Sequence, residues 1–444
     1  MPAINDLRSF LEVLRVNGEL LETEKEVDWR YEIGSIIDGV EKANKGAAFF
    51  YKVKDREYPV CGALLSSVNR IALALNCPKE AISEYIEKCL DHPLPPLPTA
   101  LGLCQEIVWQ DKDINLDRLP IPLHAPKDAG RYITSGLVFA RDLDGGPQNI
   151  SYHRMEIKDQ EKMLIFINEW RHLNDFYKKA EERKVGLPIS IVIGADPVLY
   201  IAAGLRCDGD EIDFAGALRG AGIPVVKSIT NDILVPATAE FVIEAIIVPT
   251  ERELEGPLGE FTGHYSQQWM NPVLQITAIT MRKNPIYQTI NGASFEHVVI
   301  GNVVPREPVL KRLVKFVSSN VVDVHIPPYG SGFMAIIKLK KQNPGEPKNV
   351  ALAAMTSNVN IKNVIVVDED IDIYNAGDVW WAVSNRVIPD QDIFYIPHSQ
   401  NHELDPSADE RGVGTKMGID ATLSATSRGK ERVIYPKVNL ADWF

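Results

Sequence analysis

Two glutamates, Glu255 and Glu260, stand five positions apart in the stretch EGPLGEFTGHY, on a segment punctuated by Gly256, Pro257 and Gly259. Carboxylates brought close in a buried site cannot both ionise cheaply, so one pKa rises and that group can carry a proton near neutral pH. Glycine and proline fix the backbone around them, as a site held to small tolerances requires. Proximity alone names no reaction, because glycosidases also use paired carboxylates. The run QNISYHRMEI, residues 148–157, interleaves Asn149, Ser151, His153 and Arg154 with Ile150 and Tyr152. Arginine is the natural bidentate partner of a carboxylate. An Arg154–Glu255 pair would keep Glu255 charged and leave Glu260 as the proton carrier. The competing readings are solvated loop carboxylates and a half-exposed strand.

A second constellation is more dispersed. His172 lies in EWRHLND and Glu211 in CDGDEIDFAGALRG. A lone histidine is more often structural than a ligand, and the acidic run alone is a charged loop before a helix start. Together, Asn149, His172 and Glu211 offer the oxygen and nitrogen donors that suit a hard or borderline divalent cation. Spacing does not show that they converge.

These residues need a scaffold. The chain has 444 residues, enough for two or three domains, with 45% hydrophobic and 24% charged residues, as in a folded soluble protein. A net charge of −13 argues against nucleic acid as the main partner. The five scattered cysteines form no C-x-x-C pair, which points to a reducing compartment and away from a disulfide framework or zinc cluster. The N-terminus has no signal-peptide pattern and no run approaches a membrane span, so a cytoplasmic location without membrane contact is expected.

Leu7, Phe10, Leu11 and Leu14 predict a helix over 4–18, and EAISEYIEKCL a second over 80–90. DHPLPPLPTALG then blocks helix and central strand alike and marks a boundary near 91–105. From about 132 to 300, β-rich runs such as TSGLVFARD, NISYHRMEI, KMLIFIN, ISIVIGAD, FVIEAIIVP and LQITAITM predict a barrel or sandwich. RKNP, residues 282–285, reads as a hairpin connection to PIYQTI. EWRHLNDFYKKAEER is a helical insertion. Beyond about 310, VLKRLVKFV, FMAIIKLKK, NVALAAMTS, NVIVVDEDI and AGDVWWAVSNRV alternate helix and strand as a small α/β domain.

The ordered series QNISYHR, RHLND, DEIDFAGALRG, EGPLGEFTGHY, IKNVIVVDEDID and GVGTKMGIDAT resembles the UbiD family of reversible decarboxylases over roughly residues 100–425. The resemblance implies an α+β fold: an N-terminal α/β region (1–105), a central split β-barrel of flavin-reductase type (106–305), and a C-terminal α/β domain (306–444) that closes the site and contributes to oligomerisation. It implies prenylated FMN as cofactor, with Mn²⁺ and K⁺ at its phosphate. By position, Asn149, His172 and Glu211 match the metal ligands. Ile150, Ser151, Tyr152, His153, Arg154, Trp170, Leu173, Asn174 and Lys362 match cofactor contacts. Arg154, Glu255 and Glu260 match the catalytic set, with Glu260 the proton donor.

The expected activity is non-oxidative decarboxylation of an aromatic, heteroaromatic or α,β-unsaturated acid. Loss of CO₂ from an sp² carbon leaves an electron pair that no side chain can absorb, which is why a cofactor is needed. Furan-2,5-dicarboxylate, pyrrole-2-carboxylate and phenolic acids are candidate substrates, and relatives also act on archaeal isoprenoid-precursor acids. His297 and Arg306, in NGASFEHVVIGNVVPREP, are candidates for holding a second carboxylate, against an equally plain reading as surface or interface residues. A flavin prenyltransferase supplying the cofactor and a homodimer or hexamer are the implied partners. Two alternatives are a plain-FMN oxidoreductase, which needs no paired carboxylates, and a non-catalytic flavin-binding protein, which would have lost Arg154 or a glutamate.

Overall fold

The computed structural model describes residues 3–169, 171–205, 209–409, 411–424, 432–433, 435–436, 438–439 and 443. The chain divides into two compact units. The first comprises Met1–Leu310, Ile326–Gly332 and His402–Gly412; the second comprises Lys311–His325, Phe333–Asn401 and Val413–Phe444.

The first unit is organised by a nine-stranded antiparallel sheet. Its order is Tyr132–Ile133, Met155–Ile157, Lys162–Ile165, Trp269–Met281, Phe241–Glu255, Leu187–Ile193, Leu137–Arg141 and Gln148–Tyr152, with Ile107–Gln110 added on Trp269–Met281. The sheet curls as a half-barrel, and the two longest strands, Phe241–Glu255 and Trp269–Met281, shift register twice along their ladder. Such irregularities bend a strand and strengthen its twist. The loop between these two strands is the EGPLGEFTGHY segment. FVIEAIIVP reads as a continuous apolar run because both sheet faces are covered. Val242 packs in one core with Leu137, Phe139 and Val192, and Phe241 and Ile243 pack in another with Val138, Ala140 and Ile191.

NISYHRMEI is not one strand. It breaks after Tyr152, and Met155–Ile157 resumes on the other side of the sheet, so His153 and Arg154 occupy the gap. The hairpin expected at RKNP is also absent. Tyr287–Gln288 pairs in parallel with Val60–Cys61 and joins the N-terminal sheet formed with Leu20–Val27 and Ala47–Val53. Glu240 fixes this exit instead, accepting from Ile286 N at 3.0 Å and from Arg8 Nε and Nη2, each at 2.8 Å. The helix expected over 4–18 is trimmed to Leu7–Val16 by the Asp6–Ser9 capping box. In the proline-rich stretch, Leu97–Pro98 makes only a two-residue strand at the edge of a small sheet with Pro224–Lys227 and Leu234–Pro236. Cys61, Cys77, Cys89 and Cys104 are free thiols, and Cys207 lies outside the described residues.

The second unit is a five-stranded sheet in the order Val321–His325, Met334–Leu339, Asn363–Val367, Val413–Ala421 and Ile393–Gln400. Helices Glu346–Ser357 and Ala376–Arg386 accompany it, giving the α/β alternation expected beyond residue 310. Lys416 is buried and donates to Met355 O at 2.7 Å and Ile361 O at 3.0 Å, tying the helix end to the sheet.

Candidate active site

Arg154, at the strand break, is 8% exposed and forks between the two glutamates. Its Nε and Nη2 donate to Glu255 Oε1 and Oε2 at 2.9 and 2.8 Å, and its Nη1 donates to Glu260 Oε1. Burial alone would lower the Arg154 pKa, but the charges of Glu260 and Glu255 outweigh it and leave it raised. The guanidinium also lies 4.4 Å from the ring centre of Phe166 and 5.6 Å from that of Trp269.

Glu255 ends the strand Phe241–Glu255 and is fully buried. Two further donors complete its shell: Tyr132 Oη to Oε1 at 3.0 Å and Asn271 Nδ2 to Oε2 at 2.8 Å. Burial and the neighbouring Glu255 and Glu156 push the Tyr132 phenol far up, so it stays a donor. Glu156 in turn accepts from Tyr132 Oη at 3.2 Å, Gly256 N at 3.1 Å and Lys158 Nζ at 2.9 Å.

The turn that carries Glu260 is pinned from three sides. Asp128 Oδ1 accepts Gly259 N–H at 3.0 Å, Ser266 Oγ accepts Leu258 N–H at 3.1 Å, and Glu260 N donates to His264 O at 2.9 Å. Gly256 sits at φ +92°, and a Cβ on Gly292 would fall 1.9 Å from Gly259 O, so the close approach demands glycine. Glu260 is 6% exposed.

Arg154 and Glu260 line a cavity of about 130 Å³ whose wall also includes Tyr152, His153, Thr134 and Phe261. His297 and Arg306 reach the same cavity. His297 is bonded through Nδ1 to Gly292 O. Burial, then the nearby Arg171, lower the Arg306 guanidinium to about 9, and its buried Nη1 has no hydrogen-bond partner among the described residues.

On the strand Gln148–Tyr152, alternation puts Asn149 and Ser151 on one face. Asn149 Nδ2 donates to Ser151 Oγ at 2.9 Å, and Ser151 Oγ meets His153 Nε2 at 3.0 Å. His153 Nδ1 bonds Phe166 O at 3.0 Å, so Nε2 is the accepting nitrogen. Burial lowers His153 to about 4, which keeps it neutral. The chain turns Asn149 Oδ1 toward His172 Nδ1, 3.2 Å away. Glu211 accepts Ile150 N–H at 2.9 Å, and burial pushes its carboxyl up to about 7. Asn149, His172 and Glu211 thus share one small recess with Ser151 and Arg171. Only two of the three are of the His, Cys, Asp or Glu type, and no group of three such residues that could hold a metal occurs among the described residues.

Three family models cover most of the chain. They describe the N-terminal, Rift-related and C-terminal domains of 3-octaprenyl-4-hydroxybenzoate carboxy-lyase and match residues 11–90, 98–294 and 299–421. Among curated relatives, the anhydromevalonate phosphate decarboxylases of Methanothermobacter thermautotrophicus and Methanosarcina mazei are each 34% identical. The first alignment covers 96% of this chain and 98% of the relative, the second 97% and 99%. The UbiD-class enzyme HmfF from Pelotomaculum thermopropionicum, solved in complex with FMN, superposes with a TM-score of 0.94 at 36% identity, covering 99% of this chain and all of the other. The chain belongs to the UbiD family of carboxy-lyases.

Within this UbiD-family fold, the other sequence-derived positions divide. Tyr152, His153 and Arg154 line the large cavity, and Ile150 and Ser151 the recess. Leu173 is fully buried in the core, and Asn174 donates to Glu169 O at 3.1 Å. Lys362 belongs to the second unit, where its Nζ lies 5.1 Å from the Phe333 ring centre. Trp170 lies outside the described residues.

Sequence reasoning missed Tyr132, Asn271, Glu156 and Asp128, all of which position the carboxylates. It also missed His402, which lines the large cavity. Leu404 N donates to His402 Nδ1 at 3.0 Å, leaving Nε2 as the protonated nitrogen. Its only sequence signal was a histidine in a polar loop, HSQNHELD.

Proposed function

We propose that this protein catalyses the non-oxidative decarboxylation of an α,β-unsaturated or aromatic carboxylic acid that carries a second anionic group. The observation that carries this reading is the Arg154 fork, which holds Glu255 and Glu260 together at the wall of a cavity. Prenylated FMN, when bound, supplies the electron sink for the pair left on carbon as CO₂ departs. HmfF solved in complex with FMN, and an evolved dimeric form of it in complex with prenylated FMN, support that choice. Tyr152, His153 and Arg154 would flank the flavin on an open sheet that we read as a flavin-reductase-type split barrel, and Lys362 is assigned a further cofactor contact.

Arg154 orients the substrate carboxylate, with Glu255 fixing the guanidinium plane. As the substrate carboxylate engages Arg154 Nη1, it displaces Glu260, which is then free to take up a proton. Glu260 delivers that proton to the carbon that carried the carboxylate, so RCO₂⁻ and the proton become RH and CO₂. Arg306 and His297 receive the second anion, because the buried guanidinium has an Nη1 left unused among the described residues. That anion is a carboxylate, as in furan-2,5-dicarboxylate, or a phosphate, as the names of the archaeal relatives point to. Pyrrole-2-carboxylate and phenolic acids are the single-anion candidates.

The recess fits a divalent cation. Its donors are one amide oxygen, one imidazole nitrogen and one carboxylate that burial raises despite the opposing charge of Arg171. We assign Asn149, His172 and Glu211 to Mn²⁺, with K⁺ beside it, holding the cofactor phosphate. A flavin prenyltransferase is the expected supplier and a homodimer or hexamer the expected assembly, in the cytoplasm. Among the described residues no helix is long and apolar enough to cross a membrane. The deciding experiment loads the protein by co-expression with a flavin prenyltransferase, verifies the cofactor by mass spectrometry, and offers furan-2,5-dicarboxylate, pyrrole-2-carboxylate, phenolic acids and a phosphorylated α,β-unsaturated acid. Turnover of a dianionic acid above all others is expected. Failure of the loaded protein on every acid would overturn the reading.

A further inference from the structure

A second pair of carboxylates lies outside the site described above. Glu41 sits in the last turn of the helix Glu32–Lys42, and Glu296 belongs to the segment that carries His297. Glu41 is 8% exposed and Glu296 fully buried. Glu41 Oε2 accepts the Phe295 N–H at 3.1 Å and its Oε1 accepts the Glu296 N–H at 3.4 Å. Glu296 Oε1 accepts the Leu65 N–H at 2.7 Å, while its buried Oε2 has no hydrogen-bond partner among the described residues.

The nearest cation does not neutralise the pair directly. Arg70 is 1% exposed, but its Nη1 is spent on Glu19 at 2.8 Å and its Nη2 on Ser66 Oγ at 2.5 Å. Burial raises Glu41 to about 7, and burial with the neighbouring Glu41 raises Glu296 to about 8. Burying two carboxyls so close costs stability, and their backbone contacts show what is gained for it.

All three contacts anchor one segment to the N-terminal layer. Residues 295–303 form a short helix, Phe295–Val298, that runs into a π-helical stretch, Val299–Val303. Such π segments are rare and concentrate at functional sites. The segment brings His297, Ile300 and Asn302 to the cavity wall and leads into Arg306. A parallel tether runs from Asn291 Nδ2 to Gly34 O at 2.8 Å, on the same N-terminal helix as Glu41.

We propose that Glu41 and Glu296 are positioning residues that clamp segment 295–303 to the N-terminal layer and so set where His297 meets the substrate. The proposal rests on reading His297 as substrate-facing. Neither carboxyl lines the cavity, so neither is a catalytic residue.

The test uses holoenzyme labelled at histidine ¹³Cε1, with nine histidines to resolve and His297→Gln to assign the signal. Glu41→Ala and Glu296→Gln should each move the His297 resonance and leave the others in place. Glu41→Gln, which preserves shape, serves if Glu41→Ala fails to fold. With furan-2,5-dicarboxylate as probe, KM should rise about 10-fold while kcat stays within about 2-fold, short of the roughly 10²-fold that a 1 Å misplacement can cost. A lowered Tm with an unmoved His297 signal would make the pair merely structural and overturn the clamp. A moved His297 signal in an enzyme that ignores the probe acid would uphold the clamp and count only against the substrate reading.

Discussion

Around Arg154 the buried charges are joined by direct hydrogen bonds, whereas around Glu211 burial outweighs the charge of Arg171. Glu255 has four donors on two oxygens, and Arg154 spends three nitrogens on two carboxylates. Glu211 has a backbone N–H and a carboxyl pushed up to about 7 by burial. Both clusters hang on the same strand, Gln148–Tyr152, or its immediate continuation, so the scaffold does not explain the contrast. The ligands proposed for the two clusters would. A site that moves protons and holds a substrate in fixed geometry is organised beforehand by the protein. A site for a cation is left electrostatically incomplete, and the cation completes it.

Removing Arg154 is the severest way to break this contrast. Arg154→Met would leave Glu255 and Glu260 buried together without a counter-charge. Breaking a buried pair this way costs about 3–5 kcal/mol. Turnover should become undetectable, and the thermal unfolding midpoint should drop well below that of Arg154→Lys, which keeps the charge but loses the fork. Equal midpoints for the two variants would mean that the carboxylates are not held as a charged pair.

Glu260→Gln comes next. It preserves shape while removing the exchangeable acid, so turnover should fall by about 10²–10⁴-fold with a much smaller change in substrate binding. In D₂O the wild type should place deuterium at the carbon that lost CO₂ and also exchange that position in isolated product. A variant with near wild-type turnover and exchange would remove Glu260 from the proton-donor role.

How much of this was legible beforehand follows from where each signal is stored. Arg154, Glu255 and Glu260 were visible because a glycine-punctuated turn and a polar–apolar interleaved run are local patterns, although Arg154 falls in the break after Tyr152 rather than in a strand. Asn149, His172 and Glu211 were visible as donor types, and their convergence needed the fold. Asn271 was hidden because it faces Glu253 across a ladder, two positions along from the partner of Glu255, and only register brings its amide to the carboxylate. Tyr132 comes from a two-residue strand at the sheet's edge, too short for periodicity to show. The exit through RKNP was misread because parallel pairing with Val60–Cys61 is a long-range contact that no dipeptide signals. Ile393–Gln400 escaped notice because its residues are half-exposed on both faces, with no alternation to read.

The incomplete cluster is probed by His172→Ala. If a divalent cation completes the recess, this variant should lose metal and cofactor together. We expect cofactor affinity lower by about 10²-fold, the upper end of what a lost ordering partner costs at a metal site. Metal analysis and flavin absorbance on the same preparation read both quantities. Stoichiometric cofactor without metal would separate the recess from cofactor binding, and the Arg154 cluster should keep its geometry in either case.

The smallest expected effect is the most specific to the complete cluster. Tyr132 has one hydroxyl proton between two carboxylates, 3.0 Å from Glu255 Oε1 and 3.2 Å from Glu156 Oε2. Tyr132→Phe removes it without emptying the space. Glu255 then keeps its two bonds from Arg154 and one from Asn271, and Glu156 keeps Gly256 N and Lys158. Leaving a buried acceptor one donor short costs about 1–3 kcal/mol, so kcat/KM should fall by roughly 5- to 150-fold. The size alone would not distinguish positioning from a general loss of stability. A double-mutant cycle does, because Tyr132 acts through Glu255 and Arg154 on the same proton donor. Combined with Glu260→Gln, Tyr132→Phe should then cost much less than it does alone, since there is no longer an acid to position. Additive losses would show that Tyr132 does not act through the fork, and the four-donor shell of Glu255 would become a stability feature separate from the chemistry.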